Sequence, residues 1–302
     1  MTATNLDEPV LVEGRLERPD GRTIAWSETG VLDGRPLLRF PGTPGSRHAI
    51  RDDQTPWHVR GLRVITTERP GYGASTALRG RRFADTADDV AAILDELDIA
   101  TVPVFGGSGG APHLLSFASR YPDRVQAATI VVGAAPIVDD EARLMIGVNA
   151  EGYRLSQAGD RAGMIDLLSP IRDAILIDAL ASFRAAMDTA PPDDQEIMRD
   201  VHWQAGLVRG LTEAMRPGVD GWVDESMLMF TGWSDIDLKR VRTSVTWWHG
   251  DHDRNVPLSA VKRLLGHVPQ ARLIVWTEAG HLMPYRLEGE ILDELLGRAA
   301  PA

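Results

Sequence analysis

Val104-Phe-Gly-Gly-Ser-Gly-Gly-Ala111 decides how the rest of the chain is read. An apolar run, Thr101 to Phe105, precedes it, and Ala111-Pro-His-Leu-Leu-Ser-Phe-Ala118 follows with a helical pattern. The order is therefore strand, tight turn, helix, with Ser108 at the tip. A nucleophile elbow of the G-x-S-x-G kind requires that order. The turn forces the serine into a strained backbone conformation, and its neighbours must be small so that strand and helix can approach. The first amides of the following helix lack partners within it. That of Gly109 is thus placed to donate to a developing oxyanion. A phosphate-binding loop would need a lysine beside its glycines, or G-x-G-x-x-G with a later acidic ribose ligand. No lysine lies near this stretch.

Working outward, short apolar runs alternate with helical patterns. Val10 to Arg18 and Arg22 to Glu28 read as strands joined at Asp20-Gly21, a hairpin signal. Leu37 to Phe40, Leu62 to Thr67 and Thr101 to Phe105 are further strands, followed by Ala128 to Val132. Asp85 to Leu97 is an amphipathic helix, with Val90, Ile93, Leu94 and Leu97 on one face. A shorter helical piece is expected around His48 to Arg60. Continuous apolar strands alternating with helices predict a parallel sheet buried on both faces. Ligands of such sheets sit outside the carboxyl ends of the strands. The loops at 41–46, 68–75 and 106–110 should therefore converge there.

From Val138 to about Lys239 the pattern is helical, with segments near 139–157, 160–169, 171–188, 193–209 and 224–230. Alternation then resumes with strands at 244–248 and 272–276, a helix at 258–267 and a C-terminal helix from Gly289 to Ala299. The reading is a core of residues 1–137 and 240–302, with a helical cap of residues 138–239. The cap's methionines and aromatics are mainly its own core. Met145, Trp203, Trp222, Met227 and Phe230 are the candidates for lining a substrate pocket.

Composition narrows the function. The 302 residues are 43% apolar and carry a net charge of −11. That is ample for a buried core and provides no electrostatic footprint for nucleic acid or an anionic membrane. No cysteine is present, which excludes disulfides, thiolate catalysis and cysteine metal sites. Met1 to Pro9 has no apolar leader, and no apolar run reaches the roughly 20 residues of a membrane span. Residues 1–8 are read as frayed and the protein as cytoplasmic. No cofactor or metal is expected, and the partner is a small molecule with an apolar acyl group.

A serine hydroxyl needs a base within hydrogen-bond reach, and the base needs an orienting acid. His249-Gly-Asp-His-Asp-Arg-Asn-Val-Pro257 follows one late strand and Glu278-Ala-Gly-His-Leu-Met-Pro284 the other. Asp253 is the expected acid and His281 the expected base, in the order Ser, Asp, His. Asp251 on the same loop is the alternative acid. His249, Asp251, His252 and Asp253 lack the helical spacing of a metal site. His113 on the elbow helix reads as an interior residue. In Pro41-Gly-Thr-Pro-Gly45 the prolines have no N–H, so the second oxyanion donor is assigned to Thr43, beside Gly109.

Taken together these motifs resemble the α/β-hydrolase superfamily, in its capped esterase and proline-iminopeptidase-like subgroup. Gly106-Gly-Ser-Gly-Gly110 is similar to the elbow. Pro41-Gly-Thr-Pro-Gly-Ser46 is similar to H-G-x-P-G-S, and Glu68-Arg-Pro-Gly-Tyr-Gly-Ala-Ser75 to D-R-P-G-x-G-x-S. His249-Gly-Asp-His-Asp253 is similar to H-G-x-x-D, and Gly280-His281 to the terminal G-H. The resemblance implies an α/β fold with a mostly parallel eight-stranded sheet, flanking helices and a helical cap. It implies a serine hydrolase of carboxylic esters, lactones or thioesters acting through an acyl-enzyme. C–C, amide or iminopeptide hydrolysis and cofactor-free perhydrolysis use similar sites, and a ligand-binding receptor on this fold is the competing class. Pro41 stands where the family has histidine and Glu68 where it has aspartate. Gly109 replaces the tryptophan typical of proline iminopeptidases, and a serine elbow departs from the aspartate of dehalogenases and epoxide hydrolases.

Overall fold

The computed structural model describes residues 11–299. Val10 and the segment 1–8 lie outside the described residues. The expected strands are all present: β1 (Val12–Glu17), β2 (Thr23–Gly30), β3 (Arg35–Phe40), β4 (Leu62–Thr67), β5 (Val102–Gly107), β6 (Val125–Val131), β7 (Val245–Gly250) and β8 (Ala271–Trp276). They form one sheet in the order β1-β2-β4-β3-β5-β6-β7-β8. β2 pairs antiparallel with both β1 and β4; from β4 through β3 and β5 to β8 every neighbour is parallel. The hairpin explains the β1–β2 pair, since a short turn can join only antiparallel neighbours.

Both faces of the central sheet are covered, which is why strands such as β5 and β6 read as largely apolar runs. Leu38, Phe40, Ile65 and Val104 point to one face and pack against α2 (Phe83–Glu96), α3 (Gly110–Arg120) and α11 (Leu258–Leu265). Leu37, Val64, Phe105 and Val131 point to the other, against Trp57 of α1 (Thr55–His58) and Ile291, Leu292 and Leu295 of α12 (Pro284–Arg298). Each such side chain contributes about 1.5–3 kcal/mol when fully buried.

Seven α-helices lie between β6 and β7: α4 (Asp139–Ala142), α5 (Gly147–Gln157), α6 (Arg161–Ile177), α7 (Ala179–Ala186), α8 (Pro192–Ile197), α9 (Val201–Met215) and α10 (Asp220–Thr231), followed by two short 3-10 turns. Among the described residues this segment has no strand, but its helix boundaries differ from expectation. Pro170 does not break α6, which runs on to Ile177. The break falls at Asp178, whose side chain accepts from the Ala181 amide and caps α7. Asp200 likewise separates α8 from α9 by accepting from His202 and Trp203. The expected helix at 139–157 divides at Arg143–Ile146, where the Ile146 amide donates to the Arg254 carbonyl. The piece expected at 48–60 is helical only over Thr55–His58, and the final helix starts earlier, at Pro284. No described helix is long and apolar enough to cross a membrane.

Candidate active site

Ser108 sits between β5 and α3 at φ 49°, in the left-handed region that a non-glycine residue occupies only under constraint. Two neighbours must be glycine for steric reasons. A Cβ on Gly110 would lie 2.3 Å from the Phe40 carbonyl oxygen, and one on Gly109 would lie 2.1 Å from the Thr43 hydroxyl oxygen. The elbow therefore presses directly against the loop that follows β3. Among the described residues, the amides of Thr43 and Gly109 have no hydrogen-bond acceptor. Both residues line a cavity with Ser108.

The Ser108 hydroxyl donates to His281 Nε2 at 3.0 Å. His281 Nδ1 donates to Asp253 Oδ2 at 2.7 Å. The other oxygen of Asp253 accepts from the Asn255 and Val256 amides at 2.8 and 3.0 Å, which fixes the carboxylate. Asp253 is fully buried at its side chain, whereas Asp251 and His252 are exposed. Asp253, not Asp251, thus faces the imidazole. Burial works against the charge on His281, but the Asp253 carboxylate outweighs it, with Asp194 adding to the effect. The imidazole pKa is raised above its ordinary value. Burial likewise opposes ionisation of Asp253, and His281 overcomes it, so its pKa is lowered.

Two cavities, of about 270 and 140 Å³, have Ser108 and His281 in common. Met145 and Phe230 line the smaller and Trp203 the larger. Trp222 and Met227 line neither; they pack into apolar clusters formed by the helices between β6 and β7. His113 is fully buried, as expected of an interior residue. Burial is the main cause that takes its pKa down to about 4, against the pull of Glu225.

Several residues at this site escaped the sequence reading. Glu225 of α10 is fully buried and takes hydrogen bonds from Thr43, Arg69, Arg81 and His113. Burial opposes its charge, but Arg69 and Arg81 hold its carboxyl well below the usual range. Arg69 also donates to the Pro41 and Gly42 carbonyls at 2.6 and 2.7 Å. That guanidinium braces the loop after β3, where position 41 is a proline rather than a histidine. Glu68, which the sequence already shows in place of an aspartate, is buried too, accepting from Arg47 and the Ala74 amide; desolvation raises its pKa. Asp194 of α8, also fully buried, accepts from the His281 and Leu282 amides at 2.8 and 2.9 Å. For Glu225 the one available signal was its place among the buried positions of α10; for Asp194 there was none.

Comparison with known proteins agrees with this architecture. The alpha/beta hydrolase fold family profile matches residues 35–285. The bifunctional esterase/perhydrolase DCH of Acinetobacter calcoaceticus is 25% identical over 287 residues, 94% of this chain and 98% of that protein. An uncharacterized hydrolase of Bacillus subtilis, YcgS, is 35% identical over 112 residues, but the match spans only 37% of this chain and 38% of that protein. The crystal structure of a hydrolase from Pseudomonas aeruginosa superposes with a TM-score of 0.64 at 19% identity, covering 98% of this chain and 100% of that one. With the family profile matching from β3 into α12, the chain is an enzyme of the α/β-hydrolase family.

Proposed function

We propose that this enzyme is a serine hydrolase of carboxylic esters, lactones or thioesters that works through an acyl-enzyme. The Ser108 hydroxyl attacks the substrate carbonyl while His281 Nε2 takes its proton. Asp253 keeps the other ring nitrogen protonated and stabilises the imidazolium. The Thr43 and Gly109 amides receive the oxyanion. The imidazolium then protonates the leaving group, and a water activated by the same histidine releases the acid. In this reading residues 138–239 act as a cap over the core, and Met145, Phe230 and Trp203 meet a small substrate with an apolar acyl group.

The observation that carries the reading is the unbroken Asp253–His281–Ser108 relay, at 2.7 and 3.0 Å, beside two unpaired amides. A receptor would need neither amide free. A fluorophosphonate probe tests the reading: one adduct by intact mass on the wild type and none on Ser108→Ala are expected, together with turnover of a simple ester panel. Binding without turnover of any ester would contradict it.

A further inference from the structure

Arg39 occupies a position the fold would normally give to an apolar side chain. It alternates with Leu37 on the α12 face of β3 and pairs in register with Phe105 of β5. A guanidinium placed there loses hydration that a leucine would never have had. Burial is also the main cause that lowers its pKa from the ordinary arginine value.

Its surroundings compensate that charge only in part. Glu288 is the nearby acid, but its two oxygens are taken by Arg51 and by the Trp57 indole. Two guanidinium groups therefore share one carboxylate. Among the described residues, Arg39 has no ion-pair partner and donates only to the Ala49 carbonyl. It is half-buried, and it lines the cavity of about 270 Å³ that also holds Ser108 and His281. Phe105, Trp203 and Leu207 supply apolar wall to the same cavity, and Arg51 and Glu288 also line it. A planar guanidinium without an ion-pair partner, lining the cavity that holds the serine, is a fork for a carboxylate, which it can bind with paired hydrogen bonds.

We propose that the larger cavity selects substrates bearing a carboxylate on the part of the molecule that fills it, with Arg39 as the binding residue. The proposal rests on the hydrolase reading above and adds a substrate class to it: half-esters of dicarboxylic acids, or esters of hydroxy acids. The acidic balance of the chain makes recognition local to this pocket rather than a matter of long-range steering.

Two near-isosteric pairs test it. Monomethyl adipate against methyl heptanoate puts the carboxylate on the acyl side; ε-acetoxycaproate against heptyl acetate puts it on the alcohol side. In the wild type, one charged ester should exceed its neutral partner in kcat/KM by about tenfold or more, the order expected of a charge-assisted contact. That ratio should fall to about one in Arg39→Met and recover in part in Arg39→Lys. Equal or lower kcat/KM for both charged esters in the wild type would overturn the proposal, as would an unchanged ratio in a folded Arg39→Met. If Arg39→Met does not fold, the wild-type ratio and its partial retention in Arg39→Lys decide alone. Titration calorimetry of adipate and heptanoate onto Ser108→Ala, with and without Arg39→Met, separates the two readings. Adipate binding that depends on Arg39 would stand even if no ester is turned over, and no preference for adipate would sink the proposal even if esters are hydrolysed.

Discussion

The Thr43 hydroxyl donates to the Glu225 carboxylate at 2.9 Å, across 182 positions of sequence. One residue belongs to the loop after β3 and the other to α10. Asp194 of α8 does the same for the loop that carries His281. Two helices outside the sheet thus grip, through buried carboxylates, the two loops proposed to hold the oxyanion and move the proton. The catalytic geometry should depend on these contacts.

Glu225→Gln should be strongly destabilising. It leaves Arg69 and Arg81 buried without a full counter-charge, a loss of about 3–5 kcal/mol for a broken buried pair. The sign with pH follows from the depressed carboxyl. Its contribution is present above the ordinary glutamate range and disappears as pH falls through the folded value. Denaturant unfolding between pH 3 and 7 should show a shallower acid limb for the variant, and an unchanged limb would contradict this account.

Thr43→Val keeps the backbone amide but removes the tether to Glu225. A fall in kcat of about tenfold is expected, less than the 10²–10³ of losing an oxyanion donor outright. Thr43→Ser should restore most of it, because the hydroxyl returns. Steady-state kinetics on a neutral ester read both.

Substituting Gly109 should be severe. A Cβ there would stand 2.1 Å from the Thr43 hydroxyl oxygen, so Gly109→Ala must push the two loops apart. Both proposed donors move together, and kcat should drop by about 10²-fold or more. Wild-type turnover by Gly109→Ala would mean that these amides do not hold the oxyanion.

The pH profile should report His281. Its pKa is raised, so kcat/KM should climb with pH through a midpoint above the usual histidine value of about 6.5. Asp194 is one of the charges that raise it. Asp194→Asn should therefore shift that midpoint to lower pH and cost about 10- to 100-fold in kcat by loosening the loop. Asp253→Asn should cost far more, about 10⁴-fold, as expected when the imidazole loses the partner that fixes its tautomer. A fall in activity without a moved midpoint would reduce Asp194 to a structural contact.

The central strands were legible because they are buried on both faces, which leaves runs such as Val102 to Phe105 without a charge; β1, largely exposed, was legible from its hairpin turn. Ser108, Asp253 and His281 were legible because each stands in a loop directly after a strand, within a glycine-containing motif. The helices between β6 and β7 were less so. Pro170 lies inside α6 against local expectation, while the true stops at Asp178 and Asp200 are side-chain caps that resemble ordinary surface acids. Glu225 and Asp194 were hidden for a related reason. An acidic residue in an amphipathic helix normally faces water, and nothing nearby in sequence announces the arginines or amides that it meets.

The relay itself is tested most directly by intact mass after exposure of the folded protein to a fluorophosphonate at pH 8. One adduct, mapped to Ser108 and lost in both Ser108→Ala and His281→Ala, is the predicted result. An unmodified Ser108 in folded wild-type protein, or equal labelling when His281 is removed, would contradict the account.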